Sequence, residues 1–146
     1  MERENIIQQK SYDFAIRIVK AYKYIVENKS EYVLSKQLVR SGTSIGANIE
    51  EAIGGQSTKD FYAKMSISYK EARECRFWIR LLTDSDYLTK DQGNSLIQDL
   101  EEVLKNDNAT KEEIEEKVKT LTEKSHTLAE AMYKKEGGEA GAQPNH

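Results

Sequence analysis

From Phe61 to Leu82 the chain places Phe61, Met65, Ser68, Ala72, Cys75, Ile79 and Leu82 at strictly alternating spacings of four and three. A helix turns once in about 3.6 residues, so this alternation keeps every one of these small or apolar side chains on a single stripe. A strand would send them to both faces. Just upstream, Ser57 or Thr58 offers a hydroxyl cap, and Asp60 adds a carboxylate in the first turn, where the helix dipole favours it. The spacing therefore predicts a helix from there to about Thr83, and a helix with an uninterrupted seam needs other helices to cover it.

The rest of the chain supplies them. Ser11 to Asn28 carries Ala15, Ile18, Tyr22 and Ile25 at helical spacing, flanked by Tyr12, Ile16, Val19 and Val26, which makes an unusually wide apolar stripe. A second helix is predicted from about Glu31 to Ile53, with Leu34, Leu38, Ile45, Ile49 and Ala52 on one side and Gly54-Gly55 as its stop. A fourth opens after Thr89 with Leu96, Ile97, Leu100, Val103 and Leu104. Residues 106–110, NDNAT, read as a break with a new cap at Thr110. An acidic fifth helix carrying Ile114, Val118, Leu121, Leu128 and Met132 is expected beyond it. With one proline in 146 residues, at Pro144, the expected class is all-α. The economical arrangement is an antiparallel up-and-down four-helix bundle over 1–105, an acidic helical segment over 106–136 and a disordered tail over 137–146.

Several function classes find no support. Cys75 is the only cysteine, so neither an internal disulfide nor a zinc cluster can form, and a reducing, cytoplasmic setting is expected. The opening MERENIIQQK is not a leader pattern, and no apolar run approaches the about 18 residues of a membrane span. His126 has no second histidine or cysteine at metal spacing, and His146 is the final residue. The carboxylates between Glu112 and Glu116 read as a solvated face balanced by Lys117 and Lys119. SGTSIGAN is glycine-rich, but no strand precedes it and no Lys-Ser/Thr pair follows, so it is not a phosphate loop. No enzyme, metal or cofactor is expected.

The glycines of that stretch ask for another explanation, because each costs about 1 kcal/mol relative to alanine inside a helix. Gly42 and Gly46 are four apart and share a face with small neighbours, which predicts close approach of a second helix. Asn48 interrupts the apolar pattern and is expected to bond Glu71, with Glu51 joining, and so to set register between the second and third helices.

Beside its seam the third helix carries a second line at the same spacing: Tyr62, Ser66, Tyr69, Arg73, Arg76 and Arg80. Guanidinium forks hold phosphates bidentately and tyrosine rings stack on unpaired bases, so this line suits RNA. Lys36 and Arg40 on the second helix could extend it. The competing account packs the tyrosines against a neighbouring helix and pairs the arginines with Glu50, Glu51 or Glu74. Charge is uneven: residues 1–98 sum to +2 and residues 99–146 to −5.

Three segments, SKQLVRSGTSIGANIEEA, STKDFYAKMSISYKEARECRFWIRLL and DYL, resemble the four-helix-bundle family of 23S rRNA intervening-sequence proteins. The accessory variability determinant of diversity-generating retroelements is similar to that family. The likeness spans roughly Phe14 to Leu100. It is carried by Gln37-Leu38-x-Arg40, Ser44-Ile45-x-x-Asn48-Ile49-x-Glu51, Asp60-Phe61, Glu71, and Trp78 with Leu81-Leu82. It implies a small bundle that assembles into a homo-oligomeric ring, commonly a pentamer, with nucleic-acid binding proposed or shown for some relatives, and it does not imply an enzyme. From about Leu100 to Gln143 the chain instead resembles the lid and tail of the bacterial seventy-kilodalton heat-shock chaperone, without that family's ATPase or peptide-binding parts, which implies a lid-like helical hairpin. Two other readings follow: an interaction module that binds no nucleic acid, and a bundle fused to a lid-like fragment.

Overall fold

The computed structural model describes the backbone of residues 3–141 and the side chains of 6–106 and most of 112–135. Four helices account for it: α1 (Arg3–Lys29), α2 (Leu34–Ile53), α3 (Thr58–Asp84) and α4 (Lys90–Gly141). No strand occurs among the described residues, so the chain is all-helical as its spacing predicts. None of these helices is long and apolar enough to cross a membrane.

The turns are short and locally determined. Ser57 caps α3, its hydroxyl accepting from the Asp60 N–H at 3.1 Å. Thr89 and Gln92 cap α4 reciprocally, with Thr89 Oγ1 accepting from the Gln92 N–H at 3.1 Å and Gln92 Oε1 from the Thr89 N–H at 2.9 Å. The cap of α2 comes from further back, where the Glu31 carboxylate accepts from the N–H groups of Val33, Leu34 and Ser35 at 3.0, 2.8 and 2.7 Å.

Expectations about α4 and about α1 are corrected. Residues 106–110 do not break the chain, because α4 is continuous through them and the fourth and fifth helices are one. Asparagine, aspartate and threonine each cost only about 0.7 kcal/mol or less against alanine, and neither glycine nor proline occurs there; a helix already propagating crosses such a stretch without a new nucleation step. α4 also runs to Gly141, into the segment expected to be a disordered tail, while residues 142–146 lie outside the described residues.

The second correction concerns α1, whose buried line is Ile7, Ser11, Phe14, Ile18 and Ile25. Ala15 and Tyr22 sit half-buried at its flank. The helix is apolar on more than one side, so its stripe alone does not say which part faces inward; the fit of Ser11 and Ile18 against the α2 glycines does.

The seam of α3 is buried from Met65 through Ser68, Ala72, Cys75 and Ile79 to Leu82, with Phe61 packed at its edge. It meets Leu38, Ile45, Ile49 and Ala52 of α2, Leu96, Leu100 and Val103 of α4, and the α1 line in one core. Each large apolar side chain buried there contributes about 1.5–3 kcal/mol.

Polar contacts show which helices are neighbours. Gln8 of α1 bonds Glu50 of α2 at 2.7 Å, and Lys64 of α3 bonds Glu51 at 2.6 Å. Arg17 of α1 pairs with Asp99 of α4, and Lys10 with Glu102 at 3.2 Å. Cα packing divides the chain into two units, Met1–Glu112 and Glu113–His146. The core and every contact above belong to the first unit. Within the second, Leu121, Leu128, Met132 and Tyr133 are exposed.

Candidate nucleic-acid interface

The second line of α3 faces α4 across an open groove of about 560 Å³. Its α3 wall is Tyr69, Arg73, Arg76, Phe77 and Arg80, and its α4 wall is Glu101, Leu104 and Lys105. Burial of the seam dictates this placement. Once Met65, Ala72, Ile79 and their neighbours point into the core, positions displaced from them by one residue turn towards the adjoining helix and the solvent.

Four cationic side chains thus line the groove together with one carboxylate. Arg76 Nη1 lies 3.1 Å from Glu101 Oε1. No ion pair to Arg73, Arg80 or Lys105 occurs among the described residues. The arginines are exposed, and so is Phe77, at 54%. Tyr69 lines the wall half-buried and Tyr62 is half-buried further up α3. The competing carboxylate pairing is therefore realised at Arg76, with a glutamate from α4 in place of Glu50, Glu51 or Glu74.

Lys36 and Arg40 do not line this groove. Lys36 is exposed on α2. Arg40 is held on the other side of α3, donating to Gln37 Oε1 at 3.1 Å, to Glu71 at 3.2 Å and to Glu74. With two carboxylates on its guanidinium, Arg40 is an inter-helix tie.

The expected Asn48–Glu71 bond is also absent. Asn48 Nδ2 donates to the Ser44 carbonyl at 2.8 Å within α2, Glu71 takes Arg40, and Glu51 takes Lys64. A smaller residue bridges the helix pair: the buried Ser68 hydroxyl donates to the Ile45 carbonyl at 3.1 Å. Gly42 and Gly46 face α1, where a Cβ at Gly46 would stand 3.4 Å from the Ser11 carbonyl oxygen. Trp78 sits half-buried with its ring edge-on to Phe77, centroids 5.0 Å apart at 80°.

Phe77 on α3 and Glu101, Leu104 and Lys105 on α4 are the groove residues that sequence reasoning missed. Phe77 could have been found, since it lies four residues after Arg73 and three before Arg80, off the core seam. The three α4 residues could not, because they join the site only once α4 is placed beside α3.

Cys75 lies in the core behind the groove. Burial pushes its thiol from 9.0 up to about 12, the Ser41 hydroxyl working in the opposite sense and the Glu71 charge in the same one. His126, in the second unit, is exposed and 3.1 Å from Glu130 one turn on.

These features define a small all-helical protein with a cation-lined surface groove. Residues 3–109 match the model of the 23S rRNA-intervening sequence protein family, and the chain belongs to that family. It is also similar to the crystal structure of a protein of unknown function from the S23 ribosomal protein family of Bacteroides thetaiotaomicron. The two share 43% identity with a TM-score of 0.75, over 76% of this chain and 99% of the other. The family match ends at residue 109, close to Glu112, where the first compact unit ends.

Proposed function

We propose that the first unit is an antiparallel up-and-down four-helix bundle without enzymatic activity, which assembles with copies of itself and binds RNA in the cytoplasm through the α3–α4 groove. The observation that carries this reading is the convergence of Arg73, Arg76, Arg80 and Lys105 on one groove that also presents Tyr69 and Phe77. Cations give affinity for phosphates of any sequence, and aromatic rings add affinity for bases. Self-association is supported by Tyr12, Ile16 and Val19, which stand at four-three spacing on α1 and are 60%, 40% and 37% exposed. A contiguous apolar strip of that kind suits a second copy, and the family resemblance suggests a ring, commonly a pentamer.

The test is a salt series. Affinity for a labelled RNA should fall steeply between low and physiological salt, and Arg73, Arg76 and Arg80 changed together to Glu should abolish it while the mass by light scattering stays the same. Binding that survives the triple change rules out this groove. A pure interaction module is the second reading, favoured by the same α1 strip. It predicts a mass that drops when Ile16 and Val19 become Glu, with no RNA bound under any condition. Because α4 is one continuous helix to Gly141, the lid-like hairpin expected from about Leu100 is not formed among the described residues; the segment beyond Glu112 is proposed as an addition to the bundle, which a chain stopped at Glu112 and still folded would support.

A further inference from the structure

We infer that the groove takes single-stranded RNA, with one unpaired base stacked on the Phe77 ring and its neighbouring phosphates on Arg73 and Arg80. The inference rests on the RNA reading above and narrows it to one class of RNA and one anchoring residue.

Phe77 is the unusual member of the groove. A phenylalanine more than half exposed leaves a large apolar ring in water with no polar tip to justify it. The ring is nevertheless held. Trp78, half-buried and packed against the core, meets it edge-on at 5.0 Å and 80°. An edge-on neighbour fixes the ring while leaving at least one of its faces uncovered by Trp78, and an uncovered, fixed π-face is what a stacking platform needs.

The cations complete the geometry. Arg73 and Arg80 lie four before and three after Phe77, so all three side chains project from the same side of α3 at about one helical turn from each other. Neither arginine has an ion-pair partner among the described residues. A base on the ring would thus carry its adjoining phosphates to a free guanidinium on either side. An A-form duplex cannot use this arrangement, because its bases are already stacked on each other and it offers the protein only backbone and groove edges. Charge complementarity selects a polyanion, and the ring between the charges selects one with unpaired bases.

The experiment uses the full chain, with anisotropy of a labelled oligouridylate and of a labelled blunt RNA duplex of equal length. Phe77→Ala should weaken the oligouridylate about tenfold or more, the size of one base–aromatic stack, and leave the duplex affinity and the salt slope unchanged. Phe77→Tyr should restore the loss. Trp78 is the only tryptophan, so its emission should change when oligouridylate binds the parent chain and not when it binds Phe77→Ala. If Phe77→Ala weakens both RNAs alike, or neither, or if the parent chain prefers the duplex, the stacking inference is overturned while the arginine groove stands. If the parent chain binds neither RNA, both readings fall together. Circular dichroism on each variant separates loss of the platform from loss of the fold.

Discussion

A methyl group at Gly42 would collide with Ile18, because a Cβ built there stands 2.6 Å from Ile18 Cγ2 and 2.8 Å from Cγ1. Both are branch atoms next to the α1 backbone and have little room to swing away. Overpacking of this kind costs about 1–3 kcal/mol, against the about 1 kcal/mol that alanine gains over glycine in a helix. Gly42→Ala should therefore lower unfolding stability, by up to about 2 kcal/mol. One turn away the sign changes. A Cβ at Gly46 would be in ordinary contact, 3.4 Å from the Ser11 carbonyl oxygen, so Gly46→Ala should be neutral or up to about 1 kcal/mol stabilising. Urea titrations of both variants decide the matter, and adding Ile18→Ala should cost less in the Gly42→Ala background than alone. Equal losses at the two glycines would remove the close-approach explanation.

Those glycines also show how far the sequence could be read. The seam of α3 was fully legible, since regular four-three spacing with small residues inside it admits one burial pattern, and every position from Met65 to Leu82 follows it. The small face of α2 was visible, but the choice of Ser11 and Ile18 as its partners depends on shape, which composition does not encode. Asn48 was misread because an amide can satisfy itself on its own helix, here at Ser44, before it reaches a neighbour. The α3 wall of the groove lay in one local pattern. Its α4 wall, Glu101, Leu104 and Lys105, joins only through tertiary packing and had no local signal.

Glu31 is a cap with a pH signature. Partial burial acts to raise its pKa, but the N–H donors of Leu34, Ser35 and Val33 together outweigh it and hold the carboxyl below its ordinary 4.5. A group whose folded pKa is depressed stabilises the protein above its unfolded pKa, and that contribution is lost as pH falls through the folded value. Glu31→Ala should thus cost about 1–2 kcal/mol at pH 7, with the difference from the parent chain narrowing below pH 4.5. A difference constant from pH 7 down to pH 3 would exclude the carboxylate as its source.

Cys75 carries the opposite sign. Its thiol, pushed up to about 12 chiefly by burial, binds its proton more tightly folded than unfolded. That contribution is complete below about pH 9 and is lost as pH rises towards 12. In native buffer at pH 8 a disulfide reagent should label Cys75 far more slowly than in denaturant, and Cys75→Ala should flatten the alkaline part of the stability curve. Rapid native labelling would mean that the core opens readily between Ala72 and Ile79.

Glu101 is the carboxylate that lines the groove, and its bond to Arg76 joins two side chains each about half exposed, 47% and 50%. Surface pairs of this kind contribute about 0–1 kcal/mol, so Glu101→Gln should leave the melting transition nearly unmoved. Its effect on RNA should be larger. Losing a negative charge from the wall and freeing the Arg76 fork for a phosphate should tighten binding by about two- to tenfold and steepen the log–log salt slope by about one contact. Filter binding at several salt concentrations measures both quantities at once. Tighter binding with no change in slope would mean that the carboxylate only repels the strand. Weaker binding would mean that it holds Arg76 in the geometry the phosphates need, and Glu101→Lys, which cannot hold it, should then weaken binding further in spite of its added positive charge.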